Sequence, residues 1–530
     1  VKPNSPTSLG SESAPESNSI GSSALLSRHS SSAAWLRTLC LILITLGIAG
    51  KFYRLNDPWK VHDHYNYGGV HMTAYTECLK TTPLSVSHGV PNSLCWTEKP
   101  NYYSAHPSTL LFGLWGWTNI FGSAEWAYRL FFLTFSTLNI FLVFRIARLV
   151  RPEGDFAWLA AALQSVFLGG LYFGTHPDFI GEVTVFFCLI TAWLALKRRM
   201  TAASFAALAA GISSWPGYLT FGALWAYAWL IGKGRKRVFV FGVFAFACAL
   251  ATMMWLHQTL DIVAFLKMKL FNPGYVKPDN KGWLEPLHYA RNIVTSLSRL
   301  LGPVLLSFGL VTLFFGEGRA LFTGFRSRFR DLTAFHHALI LSGGTGALYV
   351  LIGHEYVMVH VFLYLFLLPA FALLGASFVE KSIVANSSGS NSAPGPLMAL
   401  TTTQKRWLTS LVVLVTALYP YGIFKTNAIH DAATSVVLAG SALAFIFYVW
   451  RPERLTANVL GTLLVAGFVG NLSQMMNYRN EADTERSFCE KARAQYLSTQ
   501  KPVETNEEHS DAKELVYCKD VPVIYKAPVQ

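Results

Sequence analysis

Long apolar runs separated by short polar breaks recur along this chain from Ala34 to the neighbourhood of Met476. A helix needs about 20 such residues to cross the hydrocarbon core of a bilayer, and about thirteen stretches qualify. They open near Ala34, Trp126, Phe156, Phe179, Ala202, Pro216, Val238, Leu300, Ala334, Val357, Trp407, Asp431 and Leu455. The pattern predicts an all-α polytopic membrane protein. Its weakest boundary is at Trp215 and Pro216, because a proline can kink one long span as readily as it separates two.

One polar insert breaks the rhythm. The stretch from His62 to Leu130 carries His62, Asp63, His64, Tyr65 and Asn66 at one end. His106, Pro107, Ser108 and a helix with Glu125 and Arg129 stand at the other. It is too long for a turn between neighbouring spans, so it reads as a first outer loop over 54–125 with helices of its own. The segment 1–33, rich in Ser, Pro, Gly and Asn, reads as a disordered cytoplasmic tail. No cleavable signal precedes the first span, which is therefore expected to stay. A transmembrane module over 34–380 follows the tail. A Ser, Asn, Gly and Pro-rich cytoplasmic linker at 381–406, three last helices within 407–476 and a small outer tail at 477–530 complete the organisation.

Charge supports this order. Only 14% of the residues are charged, against roughly 25% in soluble domains, and the mean hydropathy is +0.35. A net charge of +13 would suggest nucleic acid in a soluble protein. Here the cations fall in clusters between spans, the pattern of topology signals and lipid headgroup contacts, so membrane lipids are implied as partners and nucleic acid is not. With the tail inside, the clusters at Arg145, Arg148 and Arg151, at Lys197 to Arg199, at Lys233 to Arg237, at Arg319 to Arg330, at Lys381 to Arg406 and at Arg451 to Arg454 all fall on the inner side. The turns at Thr175 to Asp178 and at Ser213 to Pro216 carry no Lys or Arg. Cys78, Cys95, Cys489 and Cys518 then share the outer side, where Cys78 with Cys95 and Cys489 with Cys518 can pair if that side is oxidising.

The notable polar groups gather at the same outer face. Asp63 follows the first span, Asp178 opens the fourth, and Glu182 is expected one turn deeper on the same helical face. His354, Glu355 and Tyr356 stand between the ninth and tenth spans. The loop from Leu256 to Ser298 starts amphipathic, with Ile262, Phe265 and Leu266 against Lys267 and Lys269, and goes on to Lys277, Lys281 and Arg291. Such a segment suits the membrane interface. Ionisable groups at membrane depth are expensive, so several converging from distant helices point to a site.

Blander readings stand beside these. Asp178 can be a first-turn or N-cap acid, and Glu182 can pair with an Arg of another helix. Arg129 can neutralise Glu125, its i+4 partner, and His106 before Pro107 can be a turn residue. His62 and His64 flank Asp63 at a spacing that puts both on one face of a strand, so a divalent metal there is one reading and two solvated histidines the other. Tyr65, Tyr67, Tyr102, Tyr103, Trp115 and Trp117 suit either an interfacial belt or a surface for stacking sugar rings.

The order of parts resembles a known family. After the early Asp63 comes a Y-x-x-H-P pattern, Tyr103 to Pro107, then a short apolar helix and the stretch GSAEWAYRL before the second span. The turn HPDF introduces the fourth span, and GHEYVMVHVFLYLFLLPAFALLG comes late. From Leu36 to Gly375 this is similar to the GT-C membrane glycosyltransferases, in particular the protein O-mannosyltransferase and aminoarabinose transferase branch. Two positions depart from that pattern: the acidic pair of the mannosyltransferases is Asp63 and His64 here, and Ser108 replaces a second proline after His106 and Pro107.

The resemblance implies inverting transfer of a sugar from a polyprenyl or dolichyl phosphate to an acceptor hydroxyl, with no cofactor required. Asp63 would be the general base, and Asp178 would orient the acceptor or share that task. Substrate contacts would come from His64, Tyr65, His106, Arg129, Glu182, Lys277, Lys281, His354, Glu355 and Tyr356. The acceptor, whether glycan, lipid or protein, is left open. So is the compartment, a bacterial inner membrane with the site facing the periplasm or a plasma or endoplasmic reticulum membrane. A secondary transporter, or a polysaccharide polymerase or ligase of another fold, would also place charges among many spans. The long early loop and acids near the surface rather than the midplane argue for the transferase.

Overall fold

The structure is a computed structural model that describes residues 20–53, 55–56, 59, 64–87, 90, 92, 95, 106–178, 181–257, 286–323, 332–352, 361–387, 395–418, 432–479, 485–505, 517–518 and 521–525. It begins with α1 (Ile20–Lys51), α2 (His64–Thr81), α3 (Leu84–Ser87), α4 (Thr109–Phe121) and α5 (Glu125–Val150). There follow α6 (Phe156–Val166), α7 (Leu168–Tyr172), α8 (Glu182–Leu196), α9 (Met200–Ser213), α10 (Thr220–Leu230) and α11 (Arg235–His257). Helix α1 starts at Ile20, upstream of the expected boundary, although its apolar window still begins at Ala34.

Five described helices are long and apolar enough to cross a bilayer, Ala34–Lys51, Glu125–Val150, Arg235–Trp255, Ala334–Ile352 and Leu363–Ala385, or up to seven if each of two bent pairs is one span. Glu182–Leu196, Met200–Ser213, Val436–Trp450 and Ala457–Ser473 are apolar but shorter. The chain is an all-α, multi-pass integral membrane protein.

Local breaks explain why full-length spans are fewer than the apolar runs suggested. At Phe167 the chain turns by 62° between α6 and the α7 segment. Trp215–Leu219 forms a 3-10 turn between α9 and α10, so Pro216 separates two helices and does not merely kink one. Gly302, at φ +81, and Pro303 set a 116° bend between Tyr289–Leu301 and Pro303–Phe314. A left-handed glycine followed by proline at the first helical position is a stop and a restart in two residues. The outer loop expected to run to Ser298 thus gives way to helix at Pro286, with Leu297, Leu300 and Leu301 buried.

The polar insert folds as helices. α2 is buried around nearly its whole circumference, with Val70, Met72, Ala74, Tyr75 and Cys78 inside. Cys78 is bonded to Cys95, and Lys80 reaches Glu77 at 3.0 Å and Ser123 at 2.5 Å, which ties the end of α2 to the start of α5. With 26 residues, α5 then runs about 39 Å. Beyond its far end, Arg151 pairs with Glu317 at 2.5 Å and with Glu380, while Lys381 reaches Glu317 at 2.7 Å. Arg37 meets Asp155 at 2.5 Å. Arg151 and Lys381 are cations of the expected inner clusters, held in ion pairs at the end of the bundle remote from α2.

The C-terminal segment carries a helix, Glu485–Thr499, and a parallel pair of strands, β1 (Val503–Thr505) and β2 (Val523–Tyr525), with Val503 opposite Val523. A Cys489–Cys518 disulfide staples it. Ala492, Val503 and Val521 form its own small core.

Candidate functional site

The site is built where α1, α2, α5 and the turn before α8 meet. Two consecutive glycines in α2 set the approach. A Cβ on Gly69 would lie 2.6 Å from the Trp59 ring, and one on Gly68 would lie 2.7 Å from the Pro177 carbonyl oxygen and 3.9 Å from the Asp178 Cα. Two glycines inside a helix cost stability, about 1 kcal/mol each against alanine, and what they allow here is backbone contact on both sides. The first turns of α2, which opens at His64, therefore pack directly against the turn that bears Asp178.

That turn is braced from below. After α7 comes a 3-10 turn, Phe173–Thr175, and then His176, whose Nδ1 is 3.0 Å from the Tyr172 carbonyl oxygen and whose ring lies 4.5 Å from the Tyr172 ring. Gly174 sits against a buried polar cluster, where a Cβ would meet Ser136 Oγ at 2.6 Å and Lys51 Nζ at 3.2 Å. Lys51, only 1% exposed at the end of α1, donates to Ser136 Oγ at 2.5 Å. Asn139, one turn along α5, donates from Nδ2 to Glu182 Oε2 at 2.5 Å and to the Glu182 carbonyl at 3.1 Å. Ser136 and Asn139, on successive turns of α5, thus hold Lys51 and Glu182 respectively.

Trp59 is the second centre. It is 1% exposed, with the Arg129 guanidinium 4.3 Å above its ring and Tyr128 at its edge. Arg129 also donates to the Leu55 carbonyl at 2.8 Å. Glu125 accepts a hydrogen bond from the Tyr517 hydroxyl at 3.0 Å. Arg129 thus braces the polypeptide between α1 and α2, whereas Glu125 is held from the C-terminal segment.

Two expectations are corrected. Asp178 does not cap or open a helix: Gly181 occupies the N-cap of α8, and Asp178 stands in the connecting turn, half-buried. Glu182 is the first residue of α8, so it is the first-turn acid there and does not lie one turn deeper than Asp178 on a common face. The physical reason is the run after Pro177: the helix starts only after Gly181.

His64 and Tyr65 are the first two residues of α2, and His106 is half-buried just ahead of Ser108 and α4. Asp63, Lys277, Lys281, His354, Glu355 and Tyr356 lie outside the described residues. The metal reading at His62, Asp63 and His64 rests mainly on residues outside them too, and among the described residues no group of three His, Cys, Asp or Glu could hold a metal ion. Lys51, Asn139, Trp59 and Tyr517 were not singled out by the sequence. Asn139, an amide in an apolar span, carried the clearest signal, since polar groups at that depth need partners.

Neither a protein-family model nor a curated protein sequence matches the chain. Solved structures do. ArnT from Cupriavidus metallidurans bound to undecaprenyl phosphate is similar over 92% of this chain and 86% of that one, at 13% identity and a TM-score of 0.49. The same protein in the apo state gives 14% identity and 0.48 over the same shares of the two chains. The Archaeoglobus fulgidus oligosaccharyltransferase in the apo form is similar over 78% of this chain and 60% of its own, at 13% identity and a TM-score of 0.42.

Proposed function

We propose that this chain is an inverting glycosyltransferase of the GT-C type, moving a sugar from a polyprenyl or dolichyl phosphate to an acceptor hydroxyl on the non-cytoplasmic side of a membrane. The observation that carries the reading is the contact of Gly68 with Pro177 and Asp178. It brings the helix that directly follows Asp63 in sequence onto the turn that presents the second candidate carboxylate.

In this reading Asp63 takes the proton of the acceptor hydroxyl as its oxygen attacks the anomeric carbon. The bond from that carbon to the phosphate oxygen breaks, and the lipid phosphate leaves. Asp178 orients the acceptor. A positioned base contributes roughly 10²–10⁴-fold. Lys277, Lys281 and the His354 to Tyr356 segment hold the phosphate and stabilise the charge that develops on it. His64, Tyr65 and His106 contact the sugar or acceptor. Arg129 and Glu182, both buried, also brace the scaffold around the carboxylates in this reading. The two disulfides, Cys78–Cys95 in the insert and Cys489–Cys518 in the C-terminal segment, suit an oxidising compartment. They support a site facing the periplasm or lumen.

The test uses the full chain in lipid nanodiscs with a panel of synthetic polyprenyl-phosphate sugars and hydroxyl acceptors. Release of polyprenyl phosphate together with a glycosylated acceptor of inverted anomeric configuration is the expected result. Retention of configuration, or proton-coupled uptake of a solute into vesicles without any transfer, would overturn it.

A further inference from the structure

Apart from its disulfide, the C-terminal segment after the last apolar helix has no part in the reading above, yet one of its side chains reaches the buried Trp59. The Tyr517 hydroxyl accepts the Trp59 backbone N–H at 2.6 Å and donates to Glu125 Oε1 at 3.0 Å. The phenol thus acts as donor and acceptor at once, between two segments that lie far apart in sequence. Its own backbone is held from behind: Cys518, the next residue, is bonded to Cys489, and Arg493 donates to the Tyr517 carbonyl at 2.9 Å. Cys489 and Arg493 belong to the one helix Glu485–Thr499, so disulfide and hydrogen bond fix Tyr517 to the same rigid element.

What Tyr517 holds is the hub of the insert. Trp59 carries Arg129 over its face and packs against the bare backbone of Gly69, and the adjoining Gly68 packs against Pro177 and Asp178. Trp59 also precedes Asp63 by four residues. A continuous set of contacts therefore runs from the Cys489–Cys518 disulfide through Tyr517, Trp59 and α2 to the Asp178 turn.

We infer that Tyr517 is a positioning residue for the transfer, a clamp by which the disulfide-stapled C-terminal segment sets the placement of Trp59 and α2 against the Asp178 turn. The inference rests on the proposed function for the roles of the two carboxylates. It does not rest on it for the clamp itself. Phenylalanine cannot serve, because the Trp59 N–H is then left in a buried place without its acceptor.

The test compares the full-length wild type with Tyr517→Phe, Glu125→Gln, the disulfide variant Cys489→Ser/Cys518→Ser, and the latter combined with Tyr517→Phe. Tyr517→Phe lowers kcat about tenfold, the equivalent of one ordinary hydrogen bond, with KM for the lipid donor unchanged. The disulfide variant loses a similar factor, and the combination loses no more than the worse of the two, because both act along one path. Glu125→Gln keeps an acceptor for the phenol and stays within about twofold of wild type.

Hydrogen exchange over residues 55–70, read on the same samples, rises in Tyr517→Phe whether or not any sugar is moved. If the wild type transfers no sugar but exchange rises in the variant, the glycosyltransferase reading fails and the clamp stands. A Tyr517→Phe protein with wild-type exchange, with wild-type kcat, or with the loss in KM alone overturns the inference. So do fully additive losses in the combined variant.

Discussion

Asn139 holds Glu182 with a single amide nitrogen, 2.5 Å from the carboxylate and 3.1 Å from the carbonyl oxygen of the same residue. The bond to the carbonyl fixes the first turn of α8, and the bond to the carboxylate gives a partner to a side chain that is only 3% exposed. Glu182 is therefore committed inside the bundle, beneath the Asp178 turn.

Removing one partner of a buried hydrogen bond leaves the other unsatisfied, at a cost of roughly 1–3 kcal/mol. Glu182→Ala and Lys51→Met are each expected to lower the thermal stability of the detergent-solubilised protein. Asn139→Ala should do the same, because it takes the donor from the Glu182 carboxylate. Melting curves of the three variants check this, and wild-type stability in any of them would contradict it.

Gly68 is expected to reject even a methyl group. Its Cβ would sit 2.7 Å from the Pro177 carbonyl, a backbone atom that cannot rotate away. Gly68→Ala should destabilise by about 1–3 kcal/mol, as overpacking does, and should slow transfer by moving α2 off the Asp178 turn. Gly116, in α4, is the control, because nothing lies within 4 Å of its missing side chain. There alanine should stabilise by about 1 kcal/mol through helix propensity alone. Unfolding and transfer measured on both variants decide it.

At the far end of the bundle the Glu317 carboxyl is subject to burial, which raises its pKa, but the Lys381 and Ser377 hydrogen bonds and the Arg151 charge outweigh that and hold it below its ordinary value of 4.5. A carboxyl depressed on folding contributes stability above its unfolded pKa and loses it as pH falls through the folded value. The wild type should therefore be more stable than Glu317→Gln at neutral pH, and the gap should close as the pH is lowered below about 4.5. Melting temperatures of both proteins at pH 7, 5 and 3.5 test the sign.

Much of the frame was legible in the sequence because apolar runs and breakers act locally. Helices open at Phe156 and Ala334 as expected, and Cys78 and Cys489 each pair with the nearest polar-segment cysteine. The bend at Phe167 was not legible, since hydropathy does not register a bend inside a continuous apolar stretch, and the helix from Pro286 was hidden by its polar residues, which read as loop. Lys51 was hidden for another reason. A lysine at the end of a span reads as a headgroup anchor, and its burial depends on Ser136 and Gly174 arriving from other helices. Trp59 and Tyr517 are of the same kind: an interface-type tryptophan and a tail tyrosine acquire meaning only where distant segments meet.

The central claim is that Asp63 and Asp178 work on one substrate in one cleft. The most direct measurement is a double-mutant cycle on kcat for transfer from a polyprenyl-phosphate sugar, with Asp63→Asn, Asp178→Asn and both together. A shared site predicts losses of roughly 10²–10⁴-fold for Asp63→Asn, a smaller loss for Asp178→Asn, and a double variant little worse than Asp63→Asn alone. Transfer by correctly inserted Asp63→Asn at the wild-type rate, or losses that simply multiply in the double variant, would contradict it.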